Sequence, residues 1–114
     1  MKGCFEGIGQ WAATFACDGV KEGELVKISA NGTVAACADG DSFCGVVAFV
    51  ARDGAACSVA LGGMVKTPYT GTAPALGWTG LAADGQGGVK ALTTGRSYLV
   101  VDVDETGKTV TFAL

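Results

Sequence analysis

The chain has 114 residues, which is typical of one domain, and its net charge is −3 with eight scattered basic residues. Binding of nucleic acid needs clustered Lys and Arg, so this class of function is not expected. The apolar runs are far shorter than the ~20 residues of a membrane span, and the first residues lack the apolar segment of a signal peptide. We therefore expect a protein made in the cytoplasm, without a nucleic-acid or membrane partner.

Residues 1–10 are predicted to form an irregular, glycine-punctuated N-terminal arm. The arm holds Phe5 and Ile8, and Trp11 stands just beyond it. A free arm would normally be more polar, because large apolar side chains need a surface to cover. We take Phe5, Ile8 and Trp11 as candidate protein-interaction residues that dock on a partner or a neighbouring subunit. The alternative is an arm folded over the end of its own barrel.

From residue 11 onward, short apolar runs alternate with turn formers, which predicts strands joined as hairpins. Strands are predicted over residues 11–16, 24–30, 33–38, 43–51, 56–61, 64–67, 89–92, 96–103 and 108–114. Asn31-Gly32 is the strongest hairpin signal, because both residues tolerate positive φ. Residues 43–51 are apolar on both faces, which predicts a strand buried on two sides, either inside a sandwich or under a partner. Gly62-Gly63 predicts a bulge or a barrel corner.

Residues 69–84 are the least regular part of the chain. Pro74, Gly77 and Gly80 exclude a helix there, so we expect either a loop that plugs one barrel end or a short strand near residues 78–81. The last two strands form a hairpin by their alternation. Its predicted inward residues are Leu99, Val101, Val103, Val110, Phe112 and Leu114.

These patterns predict an all-β fold: a small single-domain β-barrel or β-tulip-like fold built from hairpins. We assign residues 1–16 to the N-terminal arm and a candidate first strand, and residues 17–114 to the barrel domain. Charged residues make up 17% of the chain, below the roughly 25% of a typical domain. A surface so poor in charge indicates either burial in an assembly or a neutral exterior.

The chain has no His, so Ser-His and Cys-His catalytic pairs are impossible. Its odd number of cysteines and expected intracellular origin favour free thiols. These cysteines are Cys4, Cys17, Cys37, Cys44 and Cys57. No Cys-x-x-Cys spacing indicates a zinc site, and Asp39-Gly40-Asp41 lacks the remaining ligands of a calcium loop. We predict no enzymatic activity, no metal and no cofactor.

Two further groups of residues resemble parts of active sites but have simpler explanations. Residues 85–88, Gly-Gln-Gly-Gly, lack the Lys-Ser/Thr ending and the helix of a phosphate-binding loop. Asp102, Asp104 and Glu105 lie close together near a turn. We interpret them as a solvated face that keeps a strand edge from pairing with other chains, rather than as paired catalytic acids.

Five stretches follow one another in an order that is typical of one viral protein family. They are VKEGELV at residues 20–26, FCGVVA at 43–48, CSVALGGMV at 57–65, Gly77-Trp78, and GKTVTFAL at 107–114. Through them the chain resembles, over about residues 20–114, the small capsid cement or head decoration proteins of tailed phages. The first stretch is similar to the family's x-x-G-D-x-V phrase, and the second to its x-x-G-V-A strand. The cysteines and the N-terminal arm depart from the family pattern.

The resemblance implies a structural protein on the capsid surface of a phage virion, made in the bacterial host. It implies that the protein binds and braces junctions of the major capsid protein, commonly as a homotrimer, without a cofactor. A small enzyme such as a β-barrel hydrolase is the least expected alternative, because the chain has no His. Two other functions stay open. One is a carbohydrate- or ligand-binding β-module, with Trp78, Tyr69 and Tyr98 as its candidate platform. The other is a different virion part, such as a tail or fibre subunit.

Overall fold

The computed structural model describes residues 10–114, and regular secondary structure in this range is exclusively β-strand. This confirms the predicted all-β class. The strands are β1 Trp11–Ala16, β2 Leu25–Ala30, β3 Thr33–Ala36, β4 Gly45–Val50, β5 Ala56–Gly62, β6 Met64–Pro68, β7 Gly77–Ala83, β8 Val89–Ala91, β9 Arg96–Asp104 and β10 Thr109–Ala113. Phe5 and Ile8, predicted as interaction residues, lie outside the described residues.

The first five strands form a closed barrel in the order β1-β3-β2-β4-β5. β1 pairs with β5 in antiparallel fashion along its whole length, whereas it meets β3 at the single parallel pair Ala16–Thr33. The Ala16 N–H donates to the Gly32 carbonyl oxygen at 2.9 Å and closes the barrel at this point. Inside the barrel lies a small apolar core made of Cys17, Val20, Val26, Val34, Val47, Cys57 and Val59.

The last five strands form a second sheet in the order β6-β10-β9-β7-β8, which the sequence did not predict as a separate layer. Gly63 connects the two layers with a φ of +93°, where a Cβ atom would lie 2.6 Å from Gln10 Cα. Glycine is therefore needed at this corner for both its conformation and its small size. A parallel bridge between Tyr69 and Val89 joins the two ends of the sheet at one point.

The main core lies between the barrel and the second sheet. Leu25, on the barrel, packs there against an aromatic cluster of Phe43, Tyr98 and Phe112. The Phe43 and Tyr98 rings stack with their centroids 4.9 Å apart, and Phe112 meets both rings edge to face. Such pairs stabilise a core beyond the area that they bury. This cluster fixes the second sheet on the barrel, so the two layers form one compact domain.

Bulges in two strands shift the alternation of side chains, and one of them corrects a prediction. In β9 the register shifts beside the Thr111–Phe112 step, so Val100 pairs with Phe112 in the core and Leu99 turns outward with Ala113. The prediction that Leu99 faces inward is therefore wrong, since one extra residue reverses the faces, and Val101 is that extra, unpaired residue. A second bulge, between Val47 and Phe49 of β4, has the same effect. Phe49 is exposed, so the protein's own core does not bury the second face of this strand, and burial under a partner stays a prediction.

Candidate protein-interaction surfaces

Trp11, the first residue of β1, is the one predicted interaction residue within the described part of the chain. Trp11 is 59% exposed, and its cross-strand partner on the neighbouring strand β5 is Gly62. A side chain at Gly62 would overlap the indole ring, so the glycine leaves room for the tryptophan to lie against the backbone. Trp11 is thus held at the surface by the strand rather than buried by the barrel.

Phe49 borders an apolar groove on the outer face of the barrel, which the sequence analysis did not anticipate. The groove has a volume of about 190 Å³ and is lined by Thr14, Phe49, Ala51, Ala56, Cys57 and Ser58. The pairs Phe49–Ser58 and Ser58–Thr14 place these three residues side by side on β4, β5 and β1. Phe49 is 61% exposed because its neighbours on this face are small. The alternation of β1 puts Trp11 and Thr14 on opposite faces, so Trp11 and the groove are two separate apolar sites on the barrel. We refer to these two sites together as the barrel surface.

The second sheet carries another apolar row on the face that points away from the core. Trp78 of β7, Leu99 of β9, Ala113 of β10 and Met64 of β6 are successive cross-strand partners. Trp78 is 75% exposed, and the side chain of Leu76, just before β7, is 68% exposed. The segment that was expected to plug the barrel or form a short strand therefore includes the seven-residue strand β7, with its tryptophan at the surface.

The other proposed platform residues, Tyr69 and Tyr98, are buried, each with 3% of its surface exposed. The Tyr98 hydroxyl donates to the Phe43 carbonyl oxygen at 3.4 Å, and its ring is part of the aromatic core. Burial raises the pKa of both phenols. Of the three candidate aromatic side chains, only Trp78 is available to a ligand at the surface.

The acidic loop Asp39-Gly40-Asp41 is occupied by contacts within the protein. Asp41 pairs with Lys27 at 2.6 Å, and Asp39 pairs with Lys90 at 2.8 Å. The hydrogen bond from Lys27 lowers the pKa of Asp41, and the same contact raises the pKa of Lys27. Within residues 10–114, no group of three His, Cys, Asp or Glu side chains is arranged to hold a metal ion. The loop thus links the two layers through ion pairs.

Asp84 organises the glycine-rich turn at residues 85–88. Its Oδ1 accepts hydrogen bonds from the Gln86 N–H at 2.7 Å and the Gly88 N–H at 3.0 Å. A phosphate-binding loop would direct such amides toward its ligand. In this turn the Asp84 carboxylate already occupies both amides.

The four cysteines of the described region, Cys17, Cys37, Cys44 and Cys57, are free thiols, as predicted. Burial raises the pKa of Cys37 and of Cys57 to about 11 in each case, and it also raises the pKa of Cys44. A nucleophilic or metal-binding cysteine needs the thiolate, which a raised pKa disfavours at neutral pH. These three thiols act as small apolar side chains.

The chain matches no protein-family model, and the comparison with curated proteins finds no match for it either. Over the described residues, no helix is long and apolar enough to cross a membrane.

Proposed function

We propose that this chain is a structural protein of a phage virion that decorates the capsid and stabilises it by binding junctions of the major capsid protein. The observation that carries this proposal is the barrel surface, where Trp11 and Phe49 are 59% and 61% exposed. Large apolar groups that project from strands at a surface are typical of protein-interaction sites. The family resemblance of the sequence supplies the identity of the partner.

Covering the barrel surface supplies the free energy that such a protein needs. Full burial of one large apolar side chain contributes about 1.5–3 kcal/mol. Strand pairing already fixes the backbones of Trp11 and Phe49, so a partner that covers them has no backbone to order at these positions. Each bound copy then stabilises the assembled shell by mass action, because it binds the assembled and not the dissociated form.

The remaining parts of the proposal concern chemistry and location. We propose that the protein performs no enzymatic reaction, uses no cofactor, and resides on the capsid surface after synthesis in the bacterial cytoplasm. The protonated thiols and the occupied Asp84 turn support a binding function over a catalytic one. The homotrimer that the resemblance implies is considered below, from the surface of the second sheet.

Co-sedimentation with capsid shells tests the proposal. The chain is mixed with expanded shells assembled from the major capsid protein encoded in the same genome. We expect saturable binding that Trp11→Ala and Phe49→Ser each weaken about tenfold or more. Leu76→Ala is the matched control, since it removes a similarly exposed apolar side chain from the segment just before β7, away from the barrel. Equal binding by all variants would show that the barrel surface is not the contact.

Deletion of residues 1–10 tests the predicted interaction role of the N-terminal arm. We expect the shortened chain to bind shells more weakly, because Phe5 and Ile8 are removed together with the residues that lead into Trp11. Unchanged shell binding and an unchanged oligomeric state would contradict a docking role for the arm. Binding to purified tails or fibres in place of shells would assign the protein to another part of the virion.

A carbohydrate-binding module is the second candidate function, and one observation favours it. Trp78 is 75% exposed on a rigid strand, as a sugar-stacking platform requires. The burial of Tyr69 and Tyr98 leaves that platform with one ring, so we rank this function second. A glycan array followed by titration calorimetry tests it. Sugar binding that is lost in Trp78→Ala would establish it, and an array without binding would remove it.

A further inference from the structure

The outer face of the second sheet combines an apolar row with a charged row that runs parallel to it. The apolar row includes Met64, Ala113 and Leu99, on β6, β10 and β9. The neighbouring row consists of Lys66, Thr111 and Asp102, two residues along β6 and β10 and three residues along β9, where the bulge adds one residue. In each row the short side chain is on β10, the middle one of these three strands, and the longer side chains are on β6 and β9. We call these six residues the second-sheet surface.

The charges of this surface have opposite signs on the two sides of β10. Lys66 is exposed on β6 and Asp102 is partly exposed on β9, and Thr111 lies between them with 7% of its surface exposed. Adjacent strands are about 4.8 Å apart, so the backbones that carry the two charges are about 10 Å apart. The ion pairs found in residues 10–114 join Lys27 to Asp41 and Lys90 to Asp39. Lys66 and Asp102 thus remain available for a contact outside the molecule.

A two-fold axis parallel to β10 makes the surface complementary to itself. Rotation about this axis places each row opposite the same row of the second copy, with the β6 and β9 sides exchanged. Lys66 of one copy then faces Asp102 of the other, and Met64 faces Leu99. Ala113 meets its own equivalent at the centre, where its small size permits the close approach of two packed sheets. An in-plane axis across the strands would instead set like charges together or place charges against apolar side chains.

We propose that two copies of this chain pair through the second-sheet surface about a two-fold axis parallel to β10. The occupant of the surface is a second copy, because in this arrangement each charge faces the opposite charge of the other copy. A two-fold contact of this kind closes at two chains. A two-fold pair takes the place of the trimer expected from the family resemblance. It leaves the barrel surfaces of both copies free for a larger partner, so the pairing stands apart from the proposed capsid function.

Charge reversal in mixed samples tests the symmetry directly. Light scattering after size exclusion should give the natural chain a mass of twice 11.3 kDa. Lys66→Glu sets two acidic pairs across the axis and Asp102→Lys sets two basic pairs, so each variant alone should weaken pairing more than about tenfold. An equimolar mixture of the two variants should regain the dimer, because both contacts then join opposite charges. The double variant K66E/D102K should also dimerise.

Lys21→Glu is the matched control, since it reverses an exposed lysine in the loop before β2 and should leave the dimer intact. Circular dichroism establishes that each variant is folded. A monomeric or trimeric natural chain would overturn the proposal, as would single variants that dimerise normally or a mixture that stays monomeric. Shell binding is measured separately on the same variants, so loss of pairing and loss of capsid binding are distinguishable.

Discussion

Thr67 places a hydroxyl group in the main core without a partner, and its replacement should stabilise the fold. The residue is 1% exposed, and Oγ1 has no hydrogen-bond partner within residues 10–114. A buried hydroxyl without a hydrogen bond costs about 1–3 kcal/mol. Valine has nearly the same volume and places a methyl group beside Val110, the cross-strand partner of Thr67. We expect Thr67→Val to raise the free energy of unfolding by about 1–2 kcal/mol.

Urea denaturation gives this change in free energy, and thermal unfolding followed by circular dichroism gives a second measure. One kcal/mol corresponds to roughly 4 °C in Tm for a domain of this size. Thr79→Val is the matched control, because the Thr79 hydroxyl donates to the Ala75 carbonyl oxygen at 2.8 Å. The free energy of unfolding of Thr79→Val should be about 0.5–1.5 kcal/mol lower than that of the natural chain. A Thr67→Val variant that is less stable than the natural chain would refute the reasoning.

Three further predictions concern packing and pH. Gly45→Ala should lower the free energy of unfolding by about 2 kcal/mol or more, because the new Cβ would overlap the Ala60 carbonyl and lie 2.7 Å from Val59 Cγ1. Urea denaturation measures this change, and a loss below about 0.5 kcal/mol would contradict the prediction. The hydrogen bond from Lys27 lowers the pKa of Asp41 below its ordinary 3.8. The difference in free energy of unfolding between the natural chain and Asp41→Asn should therefore shrink as the pH falls through that lowered pKa. A difference that stays constant in acid denaturation would count against this. Burial raises the pKa of Cys57 from 9.0 to about 11. The free energy of unfolding of the natural chain should therefore fall as the pH rises from 9.0 to about 11, and that of Cys57→Ala should fall less. Parallel plots of unfolding free energy against pH would disprove this.

The turns of this protein were predictable because they depend on local residues. Asn31-Gly32 and Asp53-Gly54 stand at the predicted turns, and both glycines have positive φ, at +61° and +74°. A glycine in the left-handed region carries little steric cost, whatever the rest of the chain does. β4, predicted over residues 43–51 and observed over Gly45–Val50, was also placed close to its observed bounds, because its apolar run ends just before the second of these turns.

The faces of two strands were not predictable, and this affects the candidate surfaces most. A bulge adds one residue and exchanges the inner and outer side chains beyond it, and nothing in the apolar run before Phe49 marks that position. The separate second sheet depends on pairing between β10 and β6, strands distant in sequence, which alternation alone does not specify. Trp11 was identified as a candidate because an aromatic residue beside a glycine-punctuated arm is a local feature.

Co-sedimentation with expanded capsid shells is the most direct test of the central claim that the barrel surface binds a shell. The measurement records the fraction of folded protein that pellets with shells as its concentration rises. We expect saturation at a fixed ratio to the capsid subunits, and a shift to weaker binding in Trp11→Ala and Phe49→Ser but not in Leu76→Ala. Protein that stays in the supernatant at every concentration, while folded, would contradict the proposed function.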